Sequence, residues 1–184
     1  MSGNDKRTVY SWDTCVFLAL LKREADKPLA DIVAVATDIE LGKADFVVST
    51  IVIAEMLDLI DDLSLAAEFN GFLQRPNVLV VNVDPQIARR TARLRSEWRA
   101  SATPDEKRNI KTPDAIILAT AMLAGASVLH TFEPKLQRLS KTELVEQLSI
   151  TSPLLASGQK VFLSIEEQRN DEAINEPQKT PAEP

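Results

Sequence analysis

The chain has 184 residues and carries 21 Lys+Arg against 27 Asp+Glu, a formal net charge of −6. That length suits one domain with a real core, and a 45% hydrophobic fraction lets most of it fold unaided. Five glycines argue against a Gly-rich phosphate cradle, one cysteine excludes an intrachain disulfide or a CxxC zinc pair, and the single histidine, His130, excludes a multi-His metal site.

Residues 1–7 are polar and are expected to form a flexible N-terminus. Residues 8–12 (TVYSW) are β-rich and end at Asp13, which predicts a short buried strand. A helix then enters directly from the strand end around Cys15. Residues 27–42 repeat Leu29, Ile32, Val33, Ala36 and Ile39 at helical spacing, and Gly42 closes them. Residues 46–48 read as a second strand, followed by a helix through Met56 capped by Ser49 or Thr50. A further helix is expected over 64–73 and a third strand over 78–83. Asp84-Pro85 opens the next helix with proline in its first turn, and Thr112-Pro113-Asp114 repeats that logic. Residues 127–131 make a fourth strand. The uncharged run 115–132 is interrupted by Thr120, Gly125, Ser127 and His130, so it reads as a buried helix and strand rather than a membrane span.

Strand–helix alternation predicts an α/β domain: a short, mainly parallel sheet flanked by helices. In such sheets ligands sit beyond the carboxyl ends of the strands. The domain is placed at 8–155 and a C-terminal extension at 156–165, where QKVFLSI reads equally as an edge strand or a packed segment. Residues 166–184 hold six acids, two bases and almost nothing apolar, the composition of a disordered acidic tail. No secretory signal is evident and the lone cysteine points to a reducing compartment, so the expected location is cytoplasmic.

Four acids stand where the chain leaves strands or enters helices. Asp13 follows the first strand, where a helix cap is its ordinary use. Glu55 lies in the apolar segment STIVIAEML, where a carboxylate is costly unless it is paired, metal-bound or exposed. Asp114 lies in a helical first turn, where the helix dipole by itself stabilises an acid. Glu133 comes just after the fourth strand. Singly each has a structural explanation. Together they recur at matching positions of successive strand–helix units, and carboxylates crowded at one end of a sheet stay ionised most readily around a shared cation. All-oxygen ligation selects Mg²⁺ or Mn²⁺, which can activate water for phosphodiester hydrolysis. His130, a strand residue, reads as a packed histidine rather than a general acid.

These segments, WDTCVFLALL around Asp13, STIVIAEML around Glu55, TPDAIILATAMLAG around Asp114 and SVLHTFEPKLQRL around Glu133, resemble the PIN-domain nuclease family. The resemblance implies a metal-dependent endoribonuclease, with Asp13, Glu55 and Asp114 matching the first three family acids. Glu133 stands where the family usually has Asp in a Thr-x-Asp turn. It also implies that Thr131 and Ser49 or Thr50 hydrogen-bond the carboxylates. Many members are toxins of virulence-associated toxin–antitoxin pairs (the VapC-like subgroup), which implies an antitoxin partner and a homodimer. The Glu133 replacement keeps a second reading open, a non-catalytic PIN-like interaction module that has lost full metal binding. A phosphohydrolase of another α/β family fits less well, since Asp13-Thr14-Cys15 lacks the second acid of a DxD motif.

Eight bases lie between Arg89 and Lys111. On a helix from Pro85, the residues Ile87, Thr91, Leu94 and Trp98 form an inward stripe, leaving Arg89 and Arg93 on the opposite, solvated face and Arg90, Arg95 and Arg99 on the flanks. Lys107, Arg108 and Lys111, in the loop entering the Asp114 helix, are the candidates for RNA phosphate contacts. The net charge of −6 falls largely on the tail and the four acids, so it does not speak against an RNA substrate.

Overall fold

The computed structural model describes residues 7–101, 109–145 and 147–154. The expected C-terminal extension and acidic tail lie outside these residues, as do Lys107 and Arg108. Arg7, the first described residue, donates to the Gly42 carbonyl and pairs with Asp45 at 3.4 Å.

Among the described residues, five parallel strands form one sheet in the order β3-β2-β1-β4-β5. They are β1 (Val9–Trp12), β2 (Asp45–Ser49), β3 (Val78–Val81), β4 (Val128–His130) and β5 (Ser149–Thr151). The chain builds outward from β1 to β2 and β3, then crosses to the other side of β1 for β4 and β5. The order therefore reverses between β1 and β4, and their carboxyl ends open the crevice in which α/β sheets bind ligands.

Seven α-helices occur among the described residues: α1 (Thr14–Leu21), α2 (Leu29–Glu40), α3 (Thr50–Leu59), α4 (Leu63–Leu73), α5 (Pro85–Ala100), α6 (Thr112–Leu123) and α7 (Pro134–Gln137). None is long and apolar enough to cross a membrane. The uncharged run 115–132 divides into most of α6 and β4, as its interruptions imply.

An aromatic cluster locks α1 and α4 to the sheet. Trp12 and Phe46 from β1 and β2 meet Phe17 of α1 and Phe72 of α4, with ring centroids 5.1–6.0 Å apart and mostly edge-on. Such pairs add about 0.5–1.5 kcal/mol each beyond area burial. The small residues of α6, Ala115, Ala119 and Ala121, are fully buried where this helix packs among β2, α3 and α5. On α5 the stripe Ile87, Thr91, Leu94 and Trp98 is buried, which makes Trp98 a core residue.

Several expectations shift. The third strand stops at Val81 rather than at residue 83, because beyond it the chain turns toward the Asp84 cap. Helix α3 runs to Leu59, three residues past Met56, and only Val52 and Met56 on it are buried; the helix is not enclosed over most of its girth. Lys111, not Thr112, holds the N-cap position of α6, and it makes no side-chain cap bond. Asp114 is the third residue of the helix, within its first turn. β5 and α7 were not foreseen. Each has only three or four residues, too few for hydrophobic periodicity to register.

Candidate active site

Asp13 occupies the turn from β1 into α1 and N-caps the helix, its Oδ1 accepting from the Thr14 backbone at 2.8 Å. Its own backbone N–H donates to the His130 carbonyl at 2.9 Å, which ties the ends of β1 and β4 together. Asp13 is buried, 8% exposed, so the remaining lone pairs of its carboxylate need partners. Thr131, fully buried at the end of β4, supplies one: its hydroxyl donates to Asp13 Oδ2 at 2.7 Å. The Cys15 thiol donates to the same oxygen at 3.3 Å. Burial, then the Asp13 charge, pushes the Cys15 thiol up to about 12, so at neutral pH it stays a protonated donor.

Thr131 also organises the next turn, since its hydroxyl accepts from the Glu133 backbone at 3.0 Å. Glu133 in turn N-caps α7, its carboxylate accepting from the Lys135 backbone. Glu55 projects from the second turn of α3, half-buried, and accepts a hydrogen bond from the Thr14 hydroxyl. Ser49 and Thr50, the expected partners of the carboxylates, bond elsewhere. Ser49 accepts from Thr120 at 3.2 Å, and the Thr50 hydroxyl accepts from the Val83 backbone at 3.3 Å. The reason is local: they hold the end of β2 against α6 and the post-β3 loop, whereas Thr14, in the first turn of α1, faces α3.

Asp114, in the first turn of α6, completes the arrangement. Asp13, Glu55, Asp114 and Glu133 all line one cavity of about 380 Å³, together with Thr14, Cys15, Leu18, Glu24, Lys27, Lys111 and Phe132. The Asp114 carboxyl is held above the ordinary carboxylate range, first by burial and then by the negative charge of Asp13, with Glu55 and Glu133 adding to it. Lys111 opposes that shift, which places the lysine within electrostatic reach of the acids. Sequence reasoning missed Thr14, Glu24, Lys27 and Phe132 at this cavity. Thr14 and Phe132 adjoin residues it did single out, but Glu24 and Lys27 arrive from the α1–α2 connection with no local signal.

No group of three or more His, Cys, Asp or Glu side chains among the described residues forms a ready-made metal cluster. In donor type and charge the cavity nonetheless fits a hard divalent cation. Its donors are carboxylate oxygens, and the repulsion felt at Asp114 is what a cation would relieve.

The remaining candidates separate by role. His130 is 5% exposed, its Nδ1 accepts from Trp12 Nε1 at 3.1 Å, and burial pulls its pKa down to about 4. It is a neutral packed residue. On α5, the Arg90 guanidinium donates to the Leu144 carbonyl at 2.9 Å and the Arg95 Nε to the Ile110 carbonyl at 3.0 Å, while Arg93 pairs with Glu97. Arg90 and Arg95 brace α5 against other segments, whereas the Arg93 pair stays within the helix.

The fold and the sequence agree with known proteins. Three solved structures superpose on this chain: VapBC2 from Rickettsia felis bound to a DNA fragment from its promoter (TM-score 0.55, 17% identity, covering 78% of this chain and 97% of that one); a toxin–antitoxin complex from Klebsiella pneumoniae (0.54, 20%, 80% and 99%); and DNA-bound VapBC from Salmonella typhimurium (0.53, 22%, 80% and 99%). At these identities the likeness is one of fold. No curated protein matches the chain significantly. The PIN domain family model matches residues 10–142, a span that contains the β1–β4 junction and the four acids Asp13, Glu55, Asp114 and Glu133. The chain belongs to the PIN-domain family.

Proposed function

We propose that this chain is a Mg²⁺- or Mn²⁺-dependent endoribonuclease acting as the toxin of a toxin–antitoxin pair. The observation that carries the reading is the convergence of four carboxylates, from three strand–helix junctions and the start of α6 after α5, on one cavity at the point where the sheet order reverses. Asp13 and Asp114 would hold the principal cation, with Glu55 completing its surroundings and Glu133 supporting a second one. A bound cation supplies an activated water and stabilises charge on the phosphodiester. The chain's own contribution is orientation. Thr131 and Cys15 fix the Asp13 carboxylate, and Thr14 fixes Glu55. Lys111, in the cavity lining, is the proposed phosphate contact within the described residues; Lys107 and Arg108, just before it in sequence, extend that proposal. The cavity lining holds five acids and two lysines, so a polyanion would enter it readily only with a cation in place.

The antitoxin and a homodimer are part of the proposal. Support for the antitoxin comes from the Klebsiella neighbour, a toxin–antitoxin complex, and from the two VapBC neighbours. Growth arrest on expression, relieved by a neighbouring gene product, is the expected result; harmless expression of the folded chain would refute the toxin role. A second reading, the non-catalytic interaction module, draws on Glu133, whose carboxylate is already engaged in capping α7. Calorimetric titration of the full chain with Mn²⁺ separates the two: saturable binding is expected of the nuclease, and none of the module.

A further inference from the structure

We propose that Phe132 and Lys27 form a nucleotide subsite beside the carboxylates, in which the Phe132 ring stacks on a base of single-stranded RNA and Lys27 takes the adjoining phosphate. This rests on the RNA-cleavage reading of the same cavity and adds the group that holds the strand.

The described phenylalanines divide into two kinds. Phe17, Phe46, Phe69 and Phe72 are buried and in mutual ring contact. Phe132 makes no aromatic contact among the described residues. It is half-buried and lines the acidic cavity instead. The turn that presents it is fixed on both sides: Thr131 bonds to Asp13, the Phe132 backbone N–H donates to Cys15 Sγ at 3.4 Å, and the Glu133 N–H donates back to Thr131. The ring is thus held on the same turn that orients Asp13, one residue from Glu133.

A cation approaches the ring. Lys27 Nζ lies 5.3 Å from its centroid, and Lys27 also lines the cavity. The lysine is paired with Asp26 at 2.9 Å, but the Asp26 side chain is 74% exposed, and so open a pair is readily exchanged. An aromatic face with an adjacent exchangeable cation is the combination that single-stranded nucleic acid uses, the base stacking while the phosphate takes the charge. A base arriving over the ring displaces the ammonium, which moves onto the phosphate of that nucleotide. Lys27 and Lys111, the two bases of the cavity lining, then contact the strand beside the cleavage centre. Stacking accepts any base, so this subsite selects for an unpaired nucleotide rather than for a sequence.

The test is RNA binding by the full-length chain in an Asp13→Asn background, where cleavage is removed, read by fluorescence anisotropy with labelled single-stranded oligoribonucleotides. Phe132→Leu is expected to weaken binding roughly five- to hundredfold, the range of one lost base–aromatic stack, with Phe132→Trp restoring it. Lys27→Gln should weaken binding less and lower the salt slope by about one. An abasic nucleotide scanned through the RNA should cost affinity at one position, and that cost should vanish in Phe132→Leu. In the Asp13-containing enzyme, Phe132→Leu should raise KM by a larger factor than it lowers kcat. If Phe132→Leu unfolds at the parent's midpoint and binds and cleaves as the parent does, or if no abasic position matters in the parent, the subsite is wrong while the nuclease stands. If the unsubstituted chain neither binds nor cleaves RNA, the nuclease reading fails and the subsite with it.

Discussion

The Thr131 hydroxyl donates to Asp13 Oδ2 at 2.7 Å, joining the carboxyl ends of β1 and β4 across the reversal in strand order. Both residues are buried, and the same hydroxyl accepts from the Glu133 backbone. One side chain therefore orients one proposed cation ligand and positions the turn bearing another.

Thr131→Val keeps the shape and removes both bonds. Leaving buried polar partners unpaired costs about 1–3 kcal/mol. Urea unfolding is expected to show a loss in that range, together with weaker Mn²⁺ binding, and Thr131→Ser should restore both. A Thr131→Val chain with parental stability and parental Mn²⁺ affinity would remove Thr131 from this role.

Asp114 carries the opposite sign. Its folded pKa lies above the unfolded value, so the stability it contributes is fully present below the ordinary carboxylate range and is lost as pH rises through the folded pKa. At neutral pH the ionised group is a liability in the metal-free protein. Asp114→Asn should raise the metal-free Tm at pH 7 slightly, at most by about 2–4 °C once solvent screening is allowed for. It should leave the Tm near pH 3 unchanged, and it should abolish the further rise that Mn²⁺ gives the parent. Thermal scans with and without Mn²⁺ check all three.

His130 sets an acid limit. Its pKa is depressed to about 4 from 6.5 because burial opposes the charged form. Its contribution to stability is present above pH 6.5 and is lost as pH falls toward 4, since the unfolded chain binds the proton first. One proton gives a slope of about 1.4 kcal/mol per pH unit across that window. His130→Gln should flatten that part of the urea-unfolding profile relative to the parent, whose carboxylates contribute equally to both. Parallel profiles would show that His130 does not titrate as placed.

The arginines of α5 should separate cleanly. Arg95→Ala removes a charged donor from the Ile110 carbonyl and should cost about 1–3 kcal/mol. Arg89→Ala, on the exposed face, should fall within about 0.5 kcal/mol of the parent. Equal costs at the two positions would contradict the bracing role.

Much of this was legible along the chain. Asp13 and Glu133 cap helices that follow strands, so the strand–helix alternation that gives the fold also delivers both to the carboxyl end of the sheet, and Asp114 stands in a helical first turn where the dipole favours an acid. The stripe from Ile87 to Trp98 was equally clear, because periodicity reports burial directly. What escaped was relational. Thr14 rather than Ser49 or Thr50 meets Glu55, because β1 sits beside β2 and sets α1 against α3. Arg90 and Arg95 could be placed on flanks by spacing, but the carbonyls they brace belong to distant segments. Phe132 reads as one more apolar residue until the aromatic cluster is seen to close without it.

The most direct test of the central claim is cleavage of mixed RNAs by the full-length chain in Mn²⁺, comparing the parent with Asp13→Asn. The account expects metal-dependent internal cleavage by the parent, loss of at least about 100-fold in the variant, and an unchanged circular dichroism spectrum. Equal cleavage by the two proteins, or none by a parent that is folded and supplied with Mn²⁺, would contradict it.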